Sequence, residues 1–285
     1  MPIILDHIFY TYQPDTPFAA PALHDVSLTV GSGQFVGLIG HTGSGKSTLI
    51  QHCNGLLFPA SGQVTVDGVQ VLPKSKDLKE IRRKVGLVFQ YPEHQLFEES
   101  VALDVAFGPK TLGLGQDDVD RRVRWAMNMV DLDYETFKDA SPFGLSGGEK
   151  RRAAIAGVLA MQPKYLILDE PFAGLDPKGR EEIMAQLSRL NEKGLAIILV
   201  SHSMDEIARL AKRLVVIHDG SIVYDEAVRQ VFAKAKELAE MGLDAPEAMK
   251  LMILLHDRGL AVRQDVLTAD EGQEEILKAM RAANA

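Results

Sequence analysis

The run Gly40-His41-Thr42-Gly43-Ser44-Gly45-Lys46-Ser47 fits the pattern G-x-x-x-x-G-K-[ST]. Glycines at those places let backbone N–H groups turn inward and form a cradle for phosphate oxygens. A helix beginning at the end of the loop adds the positive end of its dipole. Lys46 can then reach the β- and γ-phosphates of a nucleoside triphosphate, and the Ser47 hydroxyl can ligate Mg2+. Asp169-Glu170 closes the apolar run YLILDE. A carboxylate at the end of a buried strand can hold Mg2+ through water, and its neighbour can polarise an attacking water. Alone, the first motif could be a glycine-rich turn with an incidental lysine and the second a common acidic strand end. Paired, they point to phosphoanhydride hydrolysis.

Such a site needs a strand feeding the loop and a helix leaving it. QFVGLIG reads as a buried strand running into Gly40, and a helix through Leu49 and Ile50 stops near Gly55. GQVTVDGVQV reads as a hairpin turning at Asp67-Gly68. KVGLVFQ, YLILDEP, AIILVSH and RLVVIHDG are further buried strands. Strands alternating with helices predict an α/β core with a mainly parallel sheet. Ahead of it, Ile3 to Tyr12 and Ala22 to Val30 read as short strands. Between Gln90 and Pro163 the pattern turns helical, as in the amphipathic DDVDRRVRWAMNMVDL, which predicts an insertion at about 91–162. After about Val223, DEAVRQVFAKAKELAEMGL is expected to be one helix ending at Gly242. Asp244 with Glu247 would cap a second helix, and Thr268 with Glu271 a third that carries Ile276, Leu277 and Met280.

The chain has 285 residues, a net charge of −8 and one cysteine, Cys53, expected to be a small buried residue. An acidic balance argues against nucleic acid as a partner. The start MPIILDHIFY lacks the basic region of a signal peptide. No apolar stretch approaches the roughly 20 residues needed to span a bilayer. The expectation is a soluble protein that meets a membrane only through partners.

Leu145-Ser146-Gly147-Gly148-Glu149 opens a helix ahead of Asp169. With all three motifs in this order, the chain resembles the ATP-binding-cassette (ABC) family over roughly residues 3–225, and this third motif resembles the family signature. The resemblance implies a P-loop NTPase core of ABC type with a mainly parallel sheet. It also implies an N-terminal antiparallel β subdomain, the helical insertion, and a small helical appendage at 226–285 following the ATP-binding domain at 1–225. The implied ligands are ATP and Mg2+. ATP would lie on Gly40, His41, Thr42, Gly43, Ser44, Gly45, Lys46, Ser47 and Thr48, with Tyr12 stacked on adenine and Tyr10 as the rival for that place. Ser47, Gln90 and Asp169 would hold Mg2+. Glu170, His202 and Gln90 form the implied catalytic set, His202 touching the γ-phosphate and Gln90 sensing a membrane partner. Gly174-Leu175-Asp176 resembles the loop that crosses to a second subunit. Ser146, Gly147 and Gly148 would cap the γ-phosphate held by that second subunit, so that two cassettes sandwich two nucleotides.

Three stretches, LVFQYPEHQLFEESVALDVAFGP, LSGGEKRRAAIAGVLAM and LDEPFAGLDPKGR, are most similar to the ATPases of energy-coupling-factor importers of vitamins and metal ions. That likeness implies a heterodimer with a paralogous ATPase, a membrane coupling protein, a substrate-binding membrane protein, and a peripheral place on the cytoplasmic face of the cell membrane. Another importer class, for amino acids or metal complexes, is the runner-up. A non-transport ABC ATPase fits less well, because the chain has neither heptad arrays nor cysteine clusters. Two positions depart from the family: Glu149, where Gln is commoner, and Phe172, where Thr or Ser is usual. The acidic stretch after Gln90 is either a solvated helix start or the lining of a groove for a coupling helix of the membrane protein. In the second reading Leu96 and Phe97 are apolar anchors, and Glu93, or else Glu98 with Glu99, holds an arginine of that helix.

Overall fold

The computed structural model describes residues 1–283. β1 (Ile3–Tyr12) and β2 (Ala20–Val30) pair antiparallel, and β3 (Phe35–Ile39) leads into the glycine loop and α1 (Lys46–Cys53). β4 (Ser61–Val66) and β5 (Val69–Gln70) form the expected hairpin. Its turn residues Asp67 and Gly68 have φ of 52° and 81°, as a two-residue turn matched to strand twist requires. Next come α2 (Leu78–Lys84) and β6 (Val85–Val88), then the helical insertion: α3 (Val101–Thr111), α4 (Gln116–Met129), α5 (Tyr134–Phe137) and α6 (Gly147–Leu159). The core resumes with β7 (Tyr165–Asp169), α7 (Pro177–Glu192), β8 (Ala196–Val200), α8 (Met204–Leu210), β9 (Arg213–His218) and β10 (Ser221–Ala227). α9 (Val228–Phe232), α10 (Ala235–Glu240), α11 (Glu247–Asp257) and α12 (Ala269–Ala283) follow.

One sheet has the order β2-β1-β4-β5; the other runs β10-β9-β3-β8-β7-β6. In the second, five neighbouring strands are parallel and β10 closes the edge antiparallel to β9. Because successive strand residues face opposite sides, β3 divides between two cores. Val36 and Leu38 pack with the antiparallel sheet and α1, while Phe35 and Ile39 pack with the insertion and α7. The carboxyl ends of β3, β8, β7 and β6 therefore point the same way, where doubly covered parallel sheets place their sites. Gly40, Ser201, Glu170 and Phe89 each follow directly on one of these ends.

The region after β9 departs from expectation. Asp225, Glu226 and Ala227 belong to β10, since edge pairing with β9 and the Arg213–Asp225 ion pair hold them extended. The remaining segment breaks into α9 and α10 at Ala233-Lys234, which lets Phe232 and Leu238 both enter the main core. Asp244 and Glu247 do not form a capping box. The Asp244 carboxylate pairs with Lys250, and the Glu247 amide donates instead to Asp205 at 3.0 Å. Thr268 does accept from the Glu271 amide, at 3.3 Å. Leu243, Ala245 and Met249 still belong to the main core, and a separate small cluster forms around Met252, Val262, Val266 and Ala279.

Candidate functional site

The glycine loop is held between strands by close backbone approach. A Cβ on Gly40 would stand 2.3 Å from the Ile217 carbonyl, and one on Gly45, at φ 106°, 2.7 Å from the Ala22 carbonyl. Only glycine fits such positions. Lys46 is 7% exposed, and its ammonium donates to the loop's own carbonyls, Gly40 O at 2.6 Å and His41 O at 2.9 Å. Burial lowers its pKa, while the carboxylates of Glu170 and Asp169 work the other way. The Ser44 hydroxyl is buried without a partner. Ser47 Oγ donates to Asp169 Oδ2 at 3.2 Å, joining loop and β7 across 122 residues. A hydroxyl and a carboxylate converging there are the oxygen donors a small hard cation such as Mg2+ takes.

Asp169 ends β7, and burial raises its carboxyl pKa against the Ser47 hydrogen bond. Glu170 follows with φ 50°, its amide donating to Val200 O of the neighbouring strand at 3.0 Å. Its Oε1 is buried without a hydrogen-bond partner and lies 3.4 Å from His202 Nε2. Burial, then the negative charges of Asp169 and Glu206, push the Glu170 carboxyl up to about 7. Burial and the nearby Lys46 ammonium lower the pKa of His202. An acid tuned to neutral pH is suited to accept a proton from water.

Tyr12 and Thr48 share a hydrogen bond of 3.0 Å and line a cavity of about 280 Å³ with Gly43, Gly45, Lys46 and Ser47. Tyr10 packs behind, edge-on to both Tyr12 and His52 at 4.9 Å. His41 and Thr42 form the outer side of the loop, where the His41 ring meets Asp219. Gln90 lies exposed just beyond β6. Ser146 is the N-cap of α6, and Glu149 completes a capping box: its Oε2 accepts from the Ser146 amide at 2.8 Å and from the Ser146 hydroxyl at 2.7 Å. Glutamate at this position thus serves the helix start, and those contacts lower its pKa. Gly147 and Gly148 face open space, with nothing within 4 Å of an added Cβ. Phe172 is buried in the main core, two residues beyond Glu170. Cys53 is buried as expected, its thiol pushed up to about 12 by burial.

Glu93 holds no free place for an external arginine. Arg151 of α6, 2% exposed, donates to it through Nη2 at 2.8 Å and Nε at 3.1 Å, and through Nη1 to Pro171 O at 2.8 Å and Ala173 O at 2.7 Å. Leu96 is likewise buried, whereas Phe97 is exposed and packs edge-on against Phe107. Sequence reasoning missed Arg151, because its partners lie 58, 20 and 22 residues away and no local pattern announces them.

A sequence profile described as ABC transporter matches residues 23–173. The chain is 50% identical over 285 residues, all of both chains, to the energy-coupling factor transporter ATP-binding protein EcfA2 of Clostridium perfringens (strain 13 / Type A). It is 52% identical over 283 residues, 99% of this chain and 98% of the relative, to the protein of the same description from Clostridioides difficile (strain 630). Among solved structures, cbiO1 from Clostridium perfringens, described as part of the ABC transporter complex cbiONQ, aligns with a TM-score of 0.74 and 35% identity, over 84% of this chain and 93% of that one. The dimeric cassette MJ0796, in a post-hydrolysis state bound to ADP and Pi, aligns with a TM-score of 0.70 and 30% identity, over 79% and 98%.

Proposed function

The chain belongs to the ABC transporter family and is the ATP-hydrolysing subunit of an energy-coupling factor transporter; from that premise we propose how its residues share the work. Lys46 and the amides of residues 40–48 bind the triphosphate, exchanging the loop carbonyls that Lys46 now contacts for phosphate oxygens. Tyr12, at the cleft, stacks on adenine, and Tyr10 supports it from behind. Ser47, Asp169 and Gln90 hold Mg2+, which supplies charge neutralisation on the β- and γ-phosphates. Glu170 polarises the attacking water, and His202 contacts the γ-phosphate beside it.

Ser146, Gly147 and Gly148 act on the nucleotide of a second cassette. In this reading the two glycines, which nothing in their own chain requires, leave room for a phosphate to approach the backbone. Likeness to a dimeric cassette supports pairing, and the likeness to energy-coupling factor ATPases favours a paralogue as the partner. The appendage at 226–285 contributes to pairing, beside the ATP-binding domain at 1–225. A groove of about 700 Å³ lined by Leu96, Phe97, Phe107 and Leu112, with Arg82 and Asp104 at its edges, receives a coupling helix of the membrane protein. No helix among the described residues is long and apolar enough to cross a membrane. In this reading, which rests on the likeness to energy-coupling factor ATPases, the chain sits peripherally at the cytoplasmic face and powers uptake of a vitamin or metal ion bound by another subunit.

The observation that carries the catalytic assignment is Glu170: a half-buried carboxylate with one oxygen buried and unpartnered and its pKa raised to about 7, next to His202 and Lys46. In the assembled transporter, Glu170→Gln is expected to lower ATP turnover at least about 100-fold, the scale of a lost general base, and to accumulate an ATP-bound closed dimer. Turnover close to wild type would remove Glu170 from this role.

A further inference from the structure

His41, His218 and Asp219 form a group of metal-ligating side chains outside the hydrolytic centre, with one ligand atom from each all within 4.8 Å of one another. His41 Nδ1 stands 2.8 Å from the Thr42 carbonyl, which can only accept, so Nδ1 carries the proton. In the neutral ring Nε2 is then a bare lone pair, yet it faces Asp219 Oδ1 at 3.2 Å. Two acceptors so placed call for a proton or a metal cation between them. The second imidazole is equally underused: His218 Nδ1 is buried without a partner, and Nε2 stands 3.5 Å from Asp219 Oδ2. The rings meet edge-on with centroids 5.0 Å apart.

We propose that His41, His218 and Asp219 form a binding site for a borderline divalent transition ion, Zn2+ first, that ties the phosphate loop to the β9–β10 turn. Two imidazoles and one carboxylate are a donor set for zinc and its neighbours, whereas Mg2+ and Ca2+ prefer oxygen alone. In a tetrahedral zinc site with bonds of about 2.0–2.1 Å, ligand atoms stand roughly 3.3 Å apart. The two imidazoles stand 3.2 and 3.5 Å from the two oxygens of Asp219, and side-chain rotation must draw a set that lies within 4.8 Å onto one ion. The bond from His41 Nδ1 to a backbone carbonyl is the outer-shell contact that orients a ligating imidazole. The groups are half-buried or exposed, which leaves water to complete the coordination.

The frame is built before any ion arrives. Asp219, at φ 44°, and Gly220 form the two-residue turn between paired His218 and Ser221. The Gly220 amide donates to Ser44 O at 3.0 Å, and Gly220 O accepts from the His24 amide at 2.8 Å. An ion on His41 adds a further link and holds the loop where the His41 carbonyl accepts from Lys46. The ion should therefore oppose the exchange of that contact for phosphate, and by reciprocity nucleotide should weaken the ion. This coupling rests on the phosphate-loop reading; the ion site does not.

Zn2+ alone, titrated into the full-length chain by calorimetry in a non-chelating buffer, should bind at one site. His218→Ala and Asp219→Asn should each weaken it at least tenfold, while ATP affinity without zinc stays unchanged and so reports that both variants are folded. Saturating Zn2+ should lower ATP affinity several-fold in the wild type and in neither variant. Absence of zinc binding, or binding retained in both variants, overturns the site and leaves His41 and Asp219 as a hydrogen-bonded pair. Zinc binding with no change in ATP affinity overturns the link to the loop. Failure of ATP itself to bind without zinc counts against the nucleotide reading and not against the ion site.

Discussion

Asp169 and Glu170 both face one ammonium, Lys46, and Glu206 adds a third negative charge beside Glu170. Glu206 is relieved locally, accepting from Ser201 Oγ at 2.6 Å with Arg180 at 3.5 Å; Glu170 has only His202 at 3.4 Å. With a folded pKa of about 7 against 4.5 for the free side chain, the folded state binds this proton more tightly than the unfolded chain. The stabilisation is complete below pH 4.5 and is lost as pH rises through 7. Ionised Glu170 is thus a destabilising charge at pH 8, and Glu170→Gln should stabilise the isolated chain there by about 1–3 kcal/mol. The gain should shrink to nothing as pH falls towards 4.5. Urea melts at pH 8 and pH 5 check both the sign and the window. With Glu170 as the proposed base, the same proton should set the acid limb of catalysis. kcat/KM for ATP should fall about tenfold per pH unit below about 7, and a profile flat down to pH 5.5 would contradict a base of this pKa. The loop and the acidic pair were readable in the sequence because each fixes its own backbone: glycine where φ is positive or carbonyls come close, acids where a strand ends.

At the scale of elements, α6 links three functional segments. Its N-cap carries Ser146, and one turn further Arg151 bridges Glu93, five residues beyond the end of β6, to the carbonyls of Pro171 and Ala173 just past Glu170. A shift at any one of the three must move the others or break a buried charged hydrogen bond. Glu93→Ala would strand the Arg151 guanidinium, at a cost of about 3–5 kcal/mol, whereas exchanging both partners for apolar residues should cost much less. A denaturation cycle over Glu93→Ala, Arg151→Met and the double variant checks this; additive losses would mean that the pair is not coupled. Ser146→Ala should cost about 1 kcal/mol through the cap alone, so part of any activity loss there will be structural. These contacts also mark where sequence reading stopped. Thr268 and Glu271 were legible as a cap because both partners lie on one turn. Asp244 and Glu247 have the same spacing, but Lys250 and Asp205 offered their groups better partners. Asp225–Ala227 carry helix-compatible residues and became strand because β9 presents an open edge. In each case a tertiary neighbour outweighed local preference.

For the whole molecule, the question is what covers the apolar surface of the appendage. Leu251 and Leu254 on α11 and Leu277 and Met280 on α12 are each roughly half exposed, while the other faces of these helices close a small core around Met252 and Val266. If this face pairs with the second cassette, simple truncation is a poor test. A cut at Met241 would also remove Leu243, Ala245 and Met249 from the main core and destabilise the ATP-binding domain itself. Point changes avoid that. Each exposed side chain buried on pairing contributes up to about 1.5–3 kcal/mol, so Leu254→Asp with Met280→Asp should weaken association with the second cassette at least tenfold. Mononucleotide affinity should stay within about twofold, because neither position touches the loop around Lys46 or the small core that supports its own helices. Sedimentation of the full-length double variant, alone and with the proposed paralogous cassette, with and without Mg-ATP, separates the possibilities. Weakened pairing in both states assigns the face a standing role in holding the cassettes together, and weakening only without nucleotide confines it to the open state. Pairing as tight as wild type in both states would mean that the motifs alone join the cassettes and that this face meets something else.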